Sequence, residues 1–132
     1  MEKVAFYPEW DYHCCGVPFK VGDCIFWRGR AVNDLICDKK IDYEIDFHQY
    51  EGTCHIISGV ITKIELALKI RAKDEKGETI YVGEKLLQIK SIEDYEYGEN
   101  YDYDKYSNFG FVITLDVKNV KEYEYKYDDE DE

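Results

Sequence analysis

The chain has 132 residues and a mass of 15.7 kDa, the size of one domain with a modest hydrophobic core, so a multidomain enzyme is excluded. Its 17 Lys and Arg residues against 29 Asp and Glu residues give a net charge of −12. This charge repels a phosphate backbone, so nucleic acid is not an expected partner. Because the sequence lacks a long apolar run and a signal-peptide pattern, we expect a soluble cytoplasmic protein with no membrane partner.

The predicted elements in the first half are short β-strands. Residues 23–28 form an apolar run after a turn-like segment and predict the first strand. Residues 33–40 are too few for periodicity to decide between a helical turn and a loop. Residues 41–47 alternate apolar and acidic side chains, which predicts a strand with one apolar face made of Ile41, Tyr43, Ile45 and Phe47.

The second half continues the β pattern. Residues 55–64 are rich in β-branched side chains, and Gly59 in their middle indicates a bulge or a tight bend. Residues 66–72 and 78–82 flank the polar turn 74–77 and predict a hairpin. Residues 86–92 and 109–117 predict two more strands, the last with an apolar face made of Phe109, Phe111, Ile113, Leu115 and Val117.

Six or seven short strands with little helix predict a mainly β protein. We expect a small antiparallel β-barrel or sandwich with at most one short helix, and an SH3-like barrel is favoured. The segment 18–25 is similar to the opening turn of SH3-like barrels, in which an apolar residue plugs one end and a glycine turn starts a strand. We expect one β-rich domain over residues 1–127 and a disordered acidic tail over residues 128–132.

The five cysteines are an odd number in a chain without an export signal, which indicates reduced thiols. We expect Cys14, Cys24, Cys37 and Cys54 to pack as small apolar side chains. One alternative is a zinc site, for which the soft or borderline ligands are His13, Cys14, Cys15, His48, Cys54 and His55. Adjacent cysteines suit one zinc ion poorly, so no cofactor is favoured. Another alternative is a thiol nucleophile at Cys14 or Cys15 beside a histidine.

Residues 10–23 contain a more distinctive combination of residues than a turn and a strand require. They contain Trp10, the core Cys14-Cys15-Gly16-x-Pro18-Phe19 and the turn Val21-Gly22-Asp23. This segment resembles the opening of a family of small bacterial proteins known only as a domain of unknown function. A fainter similarity covers the acidic residues 42–48 and the strand 59–64. The resemblance is close over the first quarter of the chain, implies a shared fold and carries no activity. The tyrosine-rich acidic carboxyl half has no counterpart in it.

The acidic residues are concentrated in two segments. Residues 93–106 hold six acids against one lysine, and residues 121–132 hold seven acids against two lysines. In the first segment, acids alternate with tyrosines, which either form an exposed, solvated strand and loop or provide a large anionic contact surface. The second interpretation predicts a surface for a basic partner protein made of Tyr95, Glu96, Tyr97, Glu99, Tyr101, Asp102, Tyr103 and Asp104.

The sequence contains no glycine-rich phosphate loop, no Gly-x-Ser-x-Gly turn and no His-Glu-x-x-His motif, so we expect no enzymatic activity. The favoured function is a protein-binding module that docks on a basic partner, of the type seen among small acidic immunity proteins and inhibitors. The alternative is a zinc-binding or thiol-dependent protein centred on Cys14 and Cys15. A third is a structural subunit that forms a homo-oligomer, since 16% of the residues are aromatic.

Overall fold

A computed structural model describes residues 1–47, 52–96, 102 and 104–125, with the backbone alone at residues 15, 96 and 125. The strands are β1 (Glu2–Pro8), β2 (Cys24–Ile36), β3 (Lys39–Ile45), β4 (Gly52–Lys73), β5 (Thr79–Ile89) and β6 (Tyr106–Tyr125). The helices are α1 (Glu9–Cys15) and α2 (Ile92–Glu96). Among the described residues, no helix has the length and apolar character needed to cross a membrane.

The mainly β fold class is confirmed. The pairing order forms a ring, because β2 pairs with β3, β3 with β1, β1 with β6, β6 with β4, and β4 again with β2. β5 extends the sheet from the far half of β4. The β1–β3 pair is parallel and the others are antiparallel, which gives a barrel- or sandwich-like sheet.

Several element predictions need correction, among them the separate strands at 55–64 and 66–72, which both belong to β4. The sequence predicts at most one helix, but the described part of the chain contains two, and their seven and five residues are too short to show helical periodicity. Residues 2–8 form β1, so the predicted strand at 23–28 opens β2 and is not the first. Residues 79–82 and 86–89 of two separately predicted strands belong to one strand, β5, in which a register shift opposite Ile70 and Arg71 interrupts the pattern. The end of the second predicted strand is not β, since Ile92 begins α2.

The ambiguous residues 33–40 form a β-hairpin, so the helical-turn alternative is wrong. β2 continues to Ile36 and β3 starts at Lys39. The two residues between them, Cys37 and Asp38, have φ values of 51° and 65°. Two successive left-handed residues make the tight turn whose twist matches that of paired strands. A cysteine at such a position is uncommon, which explains why the sequence gives no turn signal there.

The main core lies between the inner faces of the ring. β6 contributes Phe111, Ile113, Leu115 and Val117 to it, as the alternation predicts. Phe109 is the exception, because it packs in a different cluster. The β4–β6 register shifts between Ala67 and Leu68, which pair with Gly110 and Asn108, and the extra residue Phe109 turns to the other face.

A second apolar cluster lies on the opposite face from the main core. Its buried members are Val4, Ile41, Ala67 and Val112, and Phe6, Val32, Ile36, Cys37, Leu86 and Phe109 pack against them. Ile41 therefore does not share the environment of Ile45, which is in the main core. The β2–β3 register shifts between Ala31 and Asp34, so alternation does not carry through the hairpin.

Gly59 occupies the irregular position that the sequence predicts, since the β4–β6 register shifts between Ser58 and Gly59. A β-carbon there would lie 2.5 Å from the carbonyl oxygen of Asp116. We expect Gly59→Ala to lower the free energy of unfolding by about 1–3 kcal/mol, because backbone must move to relieve the clash. Urea unfolding measures this loss.

Gly83→Ala is the matched control for Gly59→Ala. Gly83 also lies in a strand, but a β-carbon there would be 3.6 Å from Ile70 Cδ1, an ordinary contact. We expect a change within about 1 kcal/mol, with either sign, because the alanine also restricts the unfolded chain. Equal losses in the two variants would contradict the steric explanation for Gly59.

Candidate functional site

The segment with the family resemblance begins with α1, which follows directly from Pro8 at the end of β1. The helix ends at Cys15, and the N–H of the next residue, Gly16, donates to the carbonyl oxygen of Tyr12 over 2.7 Å. A β-carbon at Gly16 would contact the Tyr12 ring and lie 2.8 Å from the Tyr7 hydroxyl. The glycine of the motif is therefore required by close packing of the chain against two tyrosines.

Aromatic rings surround the buried side of this segment. Tyr7 is 1% exposed, and its ring stacks on Phe19 at 5.7 Å between centroids. Phe111 of β6 meets Tyr12 edge-on at 5.5 Å and Phe19 at 5.9 Å. Trp27 closes the group against Tyr7 and Phe19, at 5.3 Å and 5.2 Å. The Phe19 of the motif is therefore part of the main core.

The turn after Phe19 is fixed by Asp23. One carboxylate oxygen accepts the N–H of Lys20 over 3.0 Å, and the other accepts a hydrogen bond from Lys20 Nζ over 3.0 Å. The side-chain hydrogen bond from Lys20 is the main cause of a lowered pKa for Asp23. Gly22 has a φ of 97°, which glycine adopts readily. The Val21-Gly22-Asp23 step is a turn that starts β2.

Asp11 is an acidic residue inside the same segment and is fully buried. Its Oδ2 accepts the backbone N–H of Phe47 over 3.2 Å. This contact joins α1 to the residues that follow β3. Sequence analysis gives Asp11 no role, because the burial of this carboxyl depends on a contact with Phe47, 36 residues away.

The thiols and histidines of the zinc alternative are spread over two elements. His13 and Cys14 are exposed on α1, whereas Cys54 is buried and His55 half-buried on β4. The Cys15 side chain and His48 lie outside the described residues. In the part of the chain that is described, no three His, Cys, Asp or Glu side chains are grouped to hold a metal ion. The zinc site and the thiol nucleophile stay predictions.

The packing prediction for the cysteines is correct at two of four positions. Cys54 is buried, and Cys37 packs against the second cluster. Burial and the neighbouring Glu84 raise the pKa of the Cys37 thiol to about 11, which disfavours the reactive thiolate. Cys14 and Cys24 are exposed, so the prediction is wrong for them. Cys24 lies on the outer face of β2 because Ile25 takes the inward position.

The acidic segment begins in α2. The Tyr95 hydroxyl donates to Glu9 Oε2 over 2.9 Å, and the Tyr95 ring meets Phe111 edge-on at 5.5 Å. His13 Nε2 lies 2.9 Å from the same Glu9 oxygen. Tyr95 is thus tied to α1 and the core. Sequence analysis did not connect Glu9 with the acidic segment, because Tyr95 lies 86 residues away along the chain.

The end of the acidic segment is also attached to the sheet. The Asp102 carbonyl oxygen accepts the N–H groups of Lys105 and Tyr106 over 3.0 and 2.9 Å. Lys85 Nζ lies 4.6 Å from the centre of the Tyr106 ring and 3.5 Å from its hydroxyl. Asp102 and Asp104 are exposed. Of the other predicted contact residues, Glu96 is described by its backbone alone, and Tyr97, Glu99, Tyr101 and Tyr103 lie outside the described residues.

An open cleft of about 500 Å³ adjoins this end of the segment. Its lining combines two acids with three basic residues, of which sequence analysis placed only Lys105 in the segment of the acids. The lining residues are Arg71, Ala72, Lys73, Thr79, Asp102, Asp104 and Lys105. The Arg71 N–H donates to the Lys105 carbonyl oxygen over 2.8 Å, which joins β4 to the turn before β6. Asp102 and Asp104 therefore stand beside cations at the tip of the β4–β5 hairpin.

The family model of DUF6578, a family of unknown function, matches residues 1–117 of this chain. The chain belongs to the DUF6578 family. No curated protein and no solved structure shows significant similarity to it. The DUF6578 match confirms the resemblance to a domain of unknown function.

The DUF6578 match reaches well beyond the first quarter of the chain, to which the close sequence resemblance was confined. It covers the opening segment, β1 to β5 and β6 as far as Val117. Residues 93–106, part of the carboxyl half that has no counterpart in the sequence resemblance, lie inside this span. The second acidic segment, residues 121–132, lies beyond it.

The two acidic segments adjoin opposite ends of β6 in this DUF6578 protein. The first reaches the strand at Tyr106, and the second includes its last residue, Tyr125. A strand of 20 residues has a contour length of about 65 Å at about 3.3 Å per residue. The sequence places both acidic segments in one tyrosine-rich half, but the fold attaches them to the sheet far apart along one strand.

Proposed function

We propose that this protein is a non-enzymatic, cytoplasmic protein-binding module whose acidic, tyrosine-rich segment docks on a basic partner protein. An immunity protein or an inhibitor is the type of protein that fits this description. The observation that carries the proposal is the attachment of the segment at both ends by a tyrosine, Tyr95 on Glu9 and Phe111, and Tyr106 on Lys85.

Attachment at both ends favours binding because it reduces the conformational freedom that a contact segment loses in a complex. Between the two anchors the chain carries four acids and three tyrosines that are not anchors: Glu96, Tyr97, Glu99, Tyr101, Asp102, Tyr103 and Asp104. Tyrosine offers a large, stiff contact area with a polar tip. Because residues 93–106 hold six acids, the segment keeps an excess of negative charge beside Arg71, Lys73 and Lys105 and attracts a basic partner over distance. In this proposal Tyr95 positions the segment and the residues after it make the contact.

The test compares two variants that remove the same number of negative charges. The first neutralises the segment with Glu96→Gln, Glu99→Gln, Asp102→Asn and Asp104→Asn. The control neutralises four exposed acids elsewhere, with Glu2→Gln, Glu75→Gln, Glu78→Gln and Glu124→Gln. A partner is first captured at low salt from a lysate of the source organism and purified, and its Kd is then measured by calorimetry.

We expect the segment variant to weaken binding on the order of tenfold to a hundredfold and the control variant by less than about threefold. Binding of the unmodified protein should also weaken as salt rises from about 50 mM to about 500 mM, because exposed charges are screened. A partner that binds the segment variant as tightly as the unmodified protein would remove this segment as the site. Equal weakening by both variants would show that binding depends on the net charge of the protein and not on this segment, which would contradict the proposal.

A further inference from the structure

A small pocket opens on the face of the sheet that carries the second apolar cluster. Its volume is about 130 Å³, and it is lined by Phe6, Val32, Asp34, Ile36, Ile41 and Glu44. Four of these six side chains are apolar, and Ile41 at 1% exposure belongs to the buried part of the second cluster. All six residues lie on β1 or on the β2–β3 hairpin.

The pocket depends on the irregular β2–β3 pairing. Ala31 pairs with Tyr43 and Asp34 with Ile41, so β2 has one residue more than β3 between these two pairs. Such a bulge bends the strand and redirects the side chains beyond it. Beyond the shift, Ile36 and Ile41 join Phe6 of β1 in the second cluster. The hairpin therefore forms a concave apolar surface with β1.

The charged residues of the pocket are acidic. Asp34 is exposed, and the Glu44 side chain is 27% exposed. Glu44 Oε1 accepts a hydrogen bond from Arg30 Nη2 over 2.9 Å, so one cation already balances one of the two carboxylates. The remaining charge at this pocket is the one on Asp34. A cation is therefore favoured there over an anion.

We propose that this pocket receives the side chain of a lysine from a basic partner. The four-carbon stem of a lysine fits the apolar lining, and its compact ammonium group remains at the solvent-exposed Asp34. The volume suits a single side chain, because sites for whole small-molecule ligands measure about 300–1,000 Å³. The source of the lysine rests on the proposed function, and this inference adds a second contact point to the acidic segment.

The experiment uses short peptides, so it does not need the partner protein. The full-length ¹⁵N-labelled protein is titrated with the probe peptide acetyl-Ala-Lys-Ala-amide at about 20 mM salt, and backbone amide shifts are followed. A second titration uses acetyl-Ala-norleucine-Ala-amide, which keeps the apolar stem and lacks the charge. Both titrations are repeated on Asp34→Asn and on its matched control Asp38→Asn, which removes the same charge from the turn of the same hairpin.

We expect saturable shifts at residues 32–36 and 44 with a Kd on the order of millimolar for the lysine peptide, as suits one isolated side chain. Asp34→Asn should raise this Kd at least threefold, Asp38→Asn should leave it within about twofold, and the norleucine peptide should bind more weakly. Filling the pocket with Val32→Phe should abolish the shifts. If that variant does not fold, Asp34→Asn decides the question, because it alters an exposed side chain.

Three outcomes would each overturn the inference: no saturable shift at these residues, equal binding of the norleucine peptide, or no effect of Asp34→Asn. The result is separate from that of the acidic segment. If no salt-sensitive partner exists, the lysine peptide still reports on the pocket. If the pocket does not bind the peptide, the test of the acidic segment still stands, because it compares the segment variant with its four-acid control variant and does not involve the pocket.

Discussion

Replacing Phe111 with alanine is expected to lower the free energy of unfolding by about 3–5 kcal/mol, the usual cost of removing a buried phenylalanine ring. Phe111 is 0% exposed and contacts the rings of Tyr12, Phe19 and Tyr95 at 5.5, 5.9 and 5.5 Å. The ring joins β6, α1, the motif turn and α2. Its loss leaves a cavity that four separate segments must close.

Chemical denaturation with urea measures the loss, and a domain with a total stability of about 5–15 kcal/mol can still be studied as a folded protein. Phe111→Leu, which keeps most of the volume, should lose only about 1–2 kcal/mol. Phe26→Ala removes the same atoms from a side chain that is 73% exposed, and we expect a change within about 0.5 kcal/mol. A loss at Phe111 no larger than that at Phe26 would contradict the description of the core.

Asp11→Ala is expected to lower the free energy of unfolding by about 2–4 kcal/mol. Asp11 is 0% exposed, and its Oδ2 accepts the N–H of Phe47 over 3.2 Å. Removing the acceptor leaves the Phe47 N–H without its side-chain partner, and a buried donor that loses its partner costs about 1–3 kcal/mol. The connection between α1 and the end of β3 is lost together with the side-chain volume.

Asp11→Asn separates these contributions, because an amide oxygen can still accept the Phe47 N–H. We expect it to lose less stability than Asp11→Ala in the same denaturation experiment. Glu75→Ala serves as the surface control, since Glu75 is exposed at the β4–β5 turn, and its change should stay within about 0.5 kcal/mol. A loss below about 1 kcal/mol for Asp11→Ala would contradict a structural role for this carboxylate.

Local patterns predicted several elements correctly. The turn at residues 74–77 is fixed by Asp74, whose Oδ1 accepts the N–H groups of Lys76 and Glu78, and by Gly77 at a φ of 80°. Those residue types are typical of turns, so the hairpin was predictable. The irregularity at Gly59 was predictable for the same reason, since glycine within a strand marks a close backbone approach.

Side-chain faces were predicted only where the register is regular. Phe111, Ile113, Leu115 and Val117 follow the two-residue period, but Phe109 and Ile41 do not, because a bulge lies between them and the rest. A bulge is a property of two paired strands. The sequence of one strand shows how apolar and polar residues alternate along it. It does not show where the paired strand has one residue fewer, which is where the bulge forms.

For the candidate sites, too, the composition was predictable from the sequence and the contacts between distant residues were not. The acidic, tyrosine-rich character of residues 93–106 is plain in the sequence, but the anchors of the segment are not. Tyr95 meets Glu9, and Tyr106 meets Lys85 from another strand. The pocket at Asp34 was also beyond sequence analysis, because Phe6 joins it from a strand that sequence analysis did not predict.

The sequence by itself determined the mainly β class, the β4–β5 hairpin and the concentration of charge in two segments, because propensity, turn chemistry and charge are local properties. The tertiary structure decided the ring order of the strands, the second apolar cluster, the burial of Asp11 and the attachment of the two acidic segments at opposite ends of β6. These features arise from contacts between residues far apart in the chain, and long-range pairing is the part of folding that local patterns do not encode.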